Sequence, residues 1–181
     1  MSLARIYSRA LVGIDAPQVV VEVHLSGGLP SLSLVGLPET AVKESKDRVR
    51  SAILNSDYEF PAKRITINLS PADLPKEGGR YDLAIALGIL VASEQVPPSK
   101  VDEHEFIGEL TLGGELQQVP GVLPSALACT QANRALVLPH QNSDEAALCS
   151  QGKMLGAKSL SQVVGFLHGL QDIPVSTPST E

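Results

Sequence analysis

Apolar and polar positions alternate along two early stretches of the chain. In residues 19–25, Val19, Val21, Val23 and Leu25 fall on one face and Val20, Glu22 and His24 on the other. That period of two is what a half-buried strand requires. Residues 6–12 alternate more loosely and also predict a strand. After the punctuation of Gly27-Gly28-Leu29-Pro30, Leu32-Ser33-Leu34-Val35 resumes the pattern. The period then changes. Ala41, Val42, Ser45, Val49, Ala52 and Ile53 recur at helical spacing behind Pro38 and Glu39, which suit a first helical turn.

Ile65, Ile67 and Leu69 predict a further strand, ended by Ser70-Pro71. Residues 80–93 are almost wholly apolar, and their length and alanine content favour a buried helix over a strand. Residues 106–112 and 115–118 flank Gly113-Gly114, a hairpin signal. Then follow a helix over 124–133, a strand over 135–138, a helix opened by Asn142 or Ser143, and small elements over 154–167. Residues 171–181, rich in Pro, Ser and Thr, read as a linker or disordered end, which leaves a single domain over 1–170. Early strands followed by alternating helices and strands predict an α+β fold, a two-layer α/β sandwich with helices on a mixed sheet.

Composition narrows the functional classes. Hydrophobic residues are 43% and charged residues 19% of the 181, ordinary for a folded domain. With no Trp, three Tyr and three Phe, a nucleic-acid surface here cannot rest on aromatic stacking platforms. Cys129 and Cys149 lie in no metal-ligand spacing and read as reduced, buried thiols of a cytoplasmic protein. No signal peptide is visible, and the apolar stretch over 83–92 is too short to span a bilayer, so no membrane partner is expected. The net charge of −6 is uneven: residues 1–82 carry ten Lys/Arg against ten Asp/Glu, and residues 83–181 carry four against ten. Any contact with DNA should therefore come from the first half.

Catalytic and metal-binding motifs are absent. There is no G-x-x-x-x-G-K-[ST] phosphate loop, no G-x-S-x-G elbow, no H-E-x-x-H and no C-x-x-C. His24, His104, His140 and His168 are scattered and read as surface or strand-face residues. Motifs alone predict no enzyme and no metal site.

Longer blocks carry a resemblance. Val35-Gly36-Leu37-Pro38-Glu39-Thr40-Ala41-Val42-Lys43-Glu44-Ser45 and Arg48-Val49-Arg50-Ser51-Ala52-Ile53 come first. Pro61-Ala62-Lys63-Arg64-Ile65-Thr66-Ile67-Asn68-Leu69-Ser70-Pro71-Ala72-Asp73-Leu74-Pro75-Lys76-Glu77-Gly78-Gly79-Arg80-Tyr81-Asp82-Leu83 continues it. Phe106-Ile107-Gly108-Glu109-Leu110, Gly121-Val122-Leu123-Pro124 and Asn142-Ser143-Asp144-Glu145-Ala146 complete it. Over about residues 3–170 the chain resembles the ComM family, also called magnesium-chelatase-like or YifB-type proteins. The resemblance implies the amino-terminal, Lon-protease-like domain of a hexameric AAA+ motor, a fold shared with GHMP kinases and one small-subunit ribosomal protein domain. It also implies a helicase promoting branch migration in natural transformation and DNA recombination. ATP and Mg would be bound by a downstream AAA+ module, and the partners would be that module, neighbouring subunits and DNA.

Set beside Lon proteases, Arg80 stands where the serine nucleophile would be and Ser125 where the lysine base would be. Neither supports peptide hydrolysis, so the domain is expected to be non-catalytic. Two groups of cations are candidates for binding DNA or a partner. Lys76 and Arg80 precede the buried helix beside Gly78-Gly79 and would meet DNA phosphate or a neighbouring subunit's acidic surface. Alternatively, Arg80 pairs with Asp82 or Glu77 as a structural contact. Arg48, Arg50, Lys63 and Arg64 form the second group, or else a face neutralised by Glu44, Asp47 and Glu59. A protein-only scaffold or partner-recognition module is the alternative function.

Overall fold

The computed structural model describes residues 2–76, 78–149 and 151–177. β1 (Ser2–Arg9) and β2 (Gln18–Ser26) form an antiparallel hairpin, with Ile6 opposite Val21 and Ala4 opposite Val23. β3 (Ser31–Val35), α1 (Glu39–Asn55) and β4 (Arg64–Ser70) follow. β4 pairs antiparallel with β2 and parallel with β3, giving a mixed sheet in the order β1-β2-β4-β3. Alternation sorts its faces. Val19, Val21, Val23, Ile65, Ile67 and Leu69 are buried, while Arg5, His24, Thr66, Ser31 and Ser33 face outward and are exposed.

The inner face receives α2 (Asp82–Ala92), which is buried at every position except Val91. A helix apolar all round belongs inside a layered domain, covered on both sides. At Gly88 an added Cβ would lie 2.5 Å from Cγ2 of Val23, so the absence of a side chain sets how closely the helix sits on the sheet. Truncating Leu87 or Ile89 to alanine at this depth costs about 2–5 kcal/mol.

The chain then builds a second, all-parallel sheet from β5 (His104–Phe106), β8 (Ala135–Pro139) and β9 (Met154–Ala157), in the order β5-β8-β9. Between β5 and β8 come a two-stranded ribbon, β6 (Glu109–Leu110) with β7 (Leu116–Gln117), and α3 (Val122–Gln131). α4 (Ser143–Ala146) and α5 (Leu160–Leu167) complete the elements. A smaller apolar cluster of Ile107, Val122, Ala126, Cys129, Leu136, Leu138 and Met154 lies beside the main core.

The expected mixed-sheet α+β architecture is present. Three local expectations change. The strand expected over 6–12 stops at Arg9, because Ala10 N–H turns to Pro17 O at 3.0 Å and Val12 bridges Asp15. The hairpin around Gly113-Gly114 is real but shorter. Phe106 belongs to β5, where it is wholly buried and pairs with Val137 of β8. The segment expected to be a linker from Gln171 stays attached to the domain through Ser176. Ile173 is buried, Val175 bridges Leu155, and Ser176 N–H donates to Met154 O at 2.7 Å. Pro178–Glu181 lie outside the described residues.

Candidate functional site

The entrance to α2 gathers most of the buried charge near the expected dyad. Gly78 holds φ +70°, a left-handed conformation that a side chain disfavours. At Gly79 an added Cβ would fall 2.7 Å from Cγ of Glu109 and 2.9 Å from Nη2 of Arg48, so this backbone runs directly against both side chains. Asp82, the first residue of α2, has no solvent exposure. It accepts from Arg48 Nε at 2.6 Å, Ser45 Oγ at 2.9 Å and Leu110 N–H at 3.1 Å. Burial pushes its carboxyl up to about 6, against the opposing pull of Arg48. The expected Arg80–Asp82 contact does not form. Residues two apart do not face each other at a helix start, and Asp82 turns to α1 while Arg80 turns away. Glu77, the other expected partner, lies outside the described residues.

Arg80, only 5% exposed, donates Nε to Arg9 O at 3.0 Å, Nη1 to Pro120 O at 3.0 Å and Nη2 to Ser125 Oγ at 3.1 Å. Ser125 is fully buried on α3, behind Gly121 at φ +69°. Arg80 and Ser125, the two positions set beside the protease dyad in the sequence, are hydrogen-bonded to each other, the guanidinium donating and the hydroxyl accepting. A protonated guanidinium donates to the hydroxyl and cannot remove its proton. Among the described residues no lysine ammonium is hydrogen-bonded to a serine hydroxyl.

A second buried network went unseen in the sequence. Arg9 at the end of β1 makes two bonds to Glu105, at 2.7 and 2.8 Å, and Arg134 reaches the same carboxylate at 3.1 Å while covering the Tyr7 ring at 3.8 Å. Arg9 breaks the alternation of β1, and Glu105 lies inside a three-residue strand, so neither position carried a periodic signal. Close by, Cys129 is a free buried thiol whose pKa burial raises far above its ordinary value, which keeps it protonated. His104, read as a surface or strand-face residue, lies on β5 and is buried. Its Nδ1 lies 2.7 Å from Lys100 O and its ring stands edge-on to Phe166.

The candidate cations separate accordingly. Arg48 is held by Asp82 at 2.6 Å and lies 3.7 Å from Glu44. Lys76 is buried, 2% exposed, with Nζ 3.3 Å from Leu74 O, and burial lowers its pKa. Arg50, Lys63 and Arg64 are exposed, and among the described residues none pairs with a carboxylate. Arg50 lies over the Phe60 ring at 5.3 Å, and Arg50, Phe60 and Lys63 border one hollow of about 280 Å³ with Leu32 and Leu54. The Arg64 guanidinium lies along Gly28, whose added Cβ would be 3.5 Å from Nη2. Among the described residues no cluster of three His, Cys, Asp or Glu is placed to hold a metal ion, and no helix is long and apolar enough to cross a membrane.

Comparison with known proteins places the chain. Residues 21–142 match the family of subunit ChlI of Mg-chelatase. The chain is 53% identical over 177 residues to a competence protein, ComM, of Haemophilus influenzae, covering 98% of this chain and 35% of that protein. It is 54% identical over 169 residues to an uncharacterised protein, YifB, of Escherichia coli, covering 93% and 33%. A protein of Mycobacterium tuberculosis is 40% identical over 170 residues, covering 93% and 34%. The chain therefore spans about a third of the length of the curated relatives it matches. With a family match over most of its length, the chain belongs to the family of subunit ChlI of Mg-chelatase.

Proposed function

We propose that this chain is the non-catalytic, Lon-like amino-terminal domain of a ComM-type AAA+ ATPase, and that it contacts DNA phosphate through Arg50, Lys63 and Arg64. One observation carries the DNA reading. These three cations are exposed and lack carboxylate partners among the described residues, with Arg50 and Lys63 bordering one hollow and Arg64 next to Lys63 at the start of β4, whereas Arg48, Lys76 and Arg80 are held inside. Unpaired exposed cations suit sequence-independent binding to a phosphate backbone. The Arg80–Ser125 contact supports the non-catalytic reading, because the protease dyad positions have become a structural hydrogen bond. In the full-length protein, ATP and Mg would act in a separate AAA+ module, and the motor would promote branch migration during transformation and recombination. Six copies in a ring would multiply weak contacts from each domain.

Electrophoretic mobility shifts of the 181-residue chain with duplex DNA, over a series of salt concentrations, test the reading. The chain shifts DNA at low salt and releases it as salt rises, and Arg50→Gln/Lys63→Gln/Arg64→Gln does not shift it. Absence of any shift at low salt, or an equal shift by the triple variant, overturns the DNA contact and leaves a protein-only scaffold.

A further inference from the structure

The chain holds three Phe residues, and two of them serve the interior: Phe106 and Phe166 are both buried. Phe60 differs. It is half-buried just before β4, and it borders the hollow of about 280 Å³ at whose rim Arg50 lies over its ring. Leu32 and Pro61, also half-buried, complete an apolar floor, while Arg50, Leu54 and Lys63 stand exposed around it. Apolar surface left open in this way forgoes the stabilisation that burying it would bring.

Charge indicates what would fill it. Among the described residues, two cations and no carboxylate border the hollow, in a chain whose net charge is −6. Arg64 adds a third exposed cation next to Lys63. An apolar floor under a cationic rim suits a planar apolar group attached to an anion. The volume lies just below that of sites for drug-sized ligands, which fits one such ring system. A single half-exposed Phe makes one site and no row of stacking residues.

We propose that this hollow takes one unpaired nucleobase of a DNA strand, with the base on Phe60, Leu32 and Pro61, the Arg50 guanidinium beside it, and the adjoining phosphates at Lys63 and Arg64. The inference rests on the DNA contact proposed above and narrows it to strands with unpaired nucleotides. In an intact duplex every base is stacked and paired, and drawing one out costs both interactions. Cations alone would choose the other way, because a duplex carries the higher charge density. Stacking on one aromatic side chain favours the single strand by about tenfold. The two accounts therefore differ in sign.

The probes are three fluorescently labelled DNAs of about 15 nucleotides, near the upper site size of a single-strand-binding domain. They are oligothymidylate, its duplex with oligoadenylate, and an abasic strand that keeps the phosphates and lacks the bases. Each is titrated with the 181-residue chain at one low salt concentration and followed by anisotropy. Oligothymidylate should bind about tenfold more tightly than the duplex, and the abasic strand no more tightly than the duplex. Phe60→Leu keeps an apolar side chain on the floor and removes the ring. Its affinity for oligothymidylate should fall to that of the abasic strand, with duplex affinity unchanged. The abasic comparison needs no variant and decides alone if Phe60→Leu does not fold. A duplex bound as tightly as oligothymidylate or more so, an abasic strand bound as tightly as oligothymidylate, or an equal loss for both DNAs in Phe60→Leu overturns the base site and leaves the phosphate contact standing. Absence of binding to all three overturns the phosphate contact and the base site together.

Discussion

Arg48 and Arg50 stand two residues apart on α1, and their surroundings differ completely. Arg48 turns inward to the fully buried Asp82 at 2.6 Å, whereas Arg50 turns outward, over Phe60 and beside Lys63. Two positions on a helix point about 200° apart, so a single turn of α1 serves both the interior and a surface. The same division separates two regions. At the entrance to α2, cations are held by Asp82, backbone carbonyls and Ser125, and they position the helix. On the outer side of α1 and at the start of β4, Arg50, Lys63 and Arg64 are exposed and have no acidic partners among the described residues. A basic residue is a binding candidate here only where the fold leaves its charge unanswered.

Removing a carboxylate from the interior should produce the largest effect. Glu105→Ala leaves the buried Arg9 and the half-buried Arg134 beside no anion and should cost about 3–5 kcal/mol, read by urea denaturation. A loss below about 1 kcal/mol would show that these charges escape to water and that the interior network is not rigid.

The pH dependence of Asp82 comes next. Its folded pKa of about 6 exceeds the ordinary 3.8, so the folded chain holds a proton that the unfolded chain releases between those values. The resulting stabilisation is complete below about 3.8 and is lost as pH rises through about 6. Compared with Asp82→Asn by urea denaturation across pH 4–7, the parent should gain up to about 3 kcal/mol at the acid end. A flat or opposite difference would mean that Arg48 dominates burial at this site.

Ser125→Ala is smaller still. It removes one acceptor from Arg80 and should cost about 1–3 kcal/mol. The smallest stability change belongs to the surface. Arg50→Gln/Lys63→Gln/Arg64→Gln should shift stability by no more than about 0.5 kcal/mol, because those side chains make no ion pair among the described residues. A larger loss would move these cations into the structural class with Arg48.

Periodicity made part of this arrangement readable. The alternation of Val19, Val21, Val23 and Leu25 placed β2, and the unbroken apolar run after Asp82 placed α2, because each pattern extends over enough residues to leave one solution. Helical spacing in α1 correctly set Val49, Ala52 and Ile53 inward. The pairing of charges was not readable in this way. Arg48 meets Asp82 across 34 positions, and Arg9 meets Glu105 across 96. Such partners are chosen by tertiary packing, and a local window sees only Glu44 or Asp82 next in line. The resemblance to a protease dyad singled out Arg80 and Ser125, and the structure brings them to 3.1 Å. The Tyr81 hydroxyl, buried and without a hydrogen-bond partner among the described residues, left no sequence signal, since an unpartnered group is visible only once its neighbours are known.

The most direct test of the surface assignment is the salt dependence of duplex DNA binding, measured as log affinity against log salt for the parent chain and the triple variant. Three phosphate contacts should give the parent a slope steeper by about 2–3 than that of Arg50→Gln/Lys63→Gln/Arg64→Gln. Equal slopes and affinities in the two proteins would contradict the assignment.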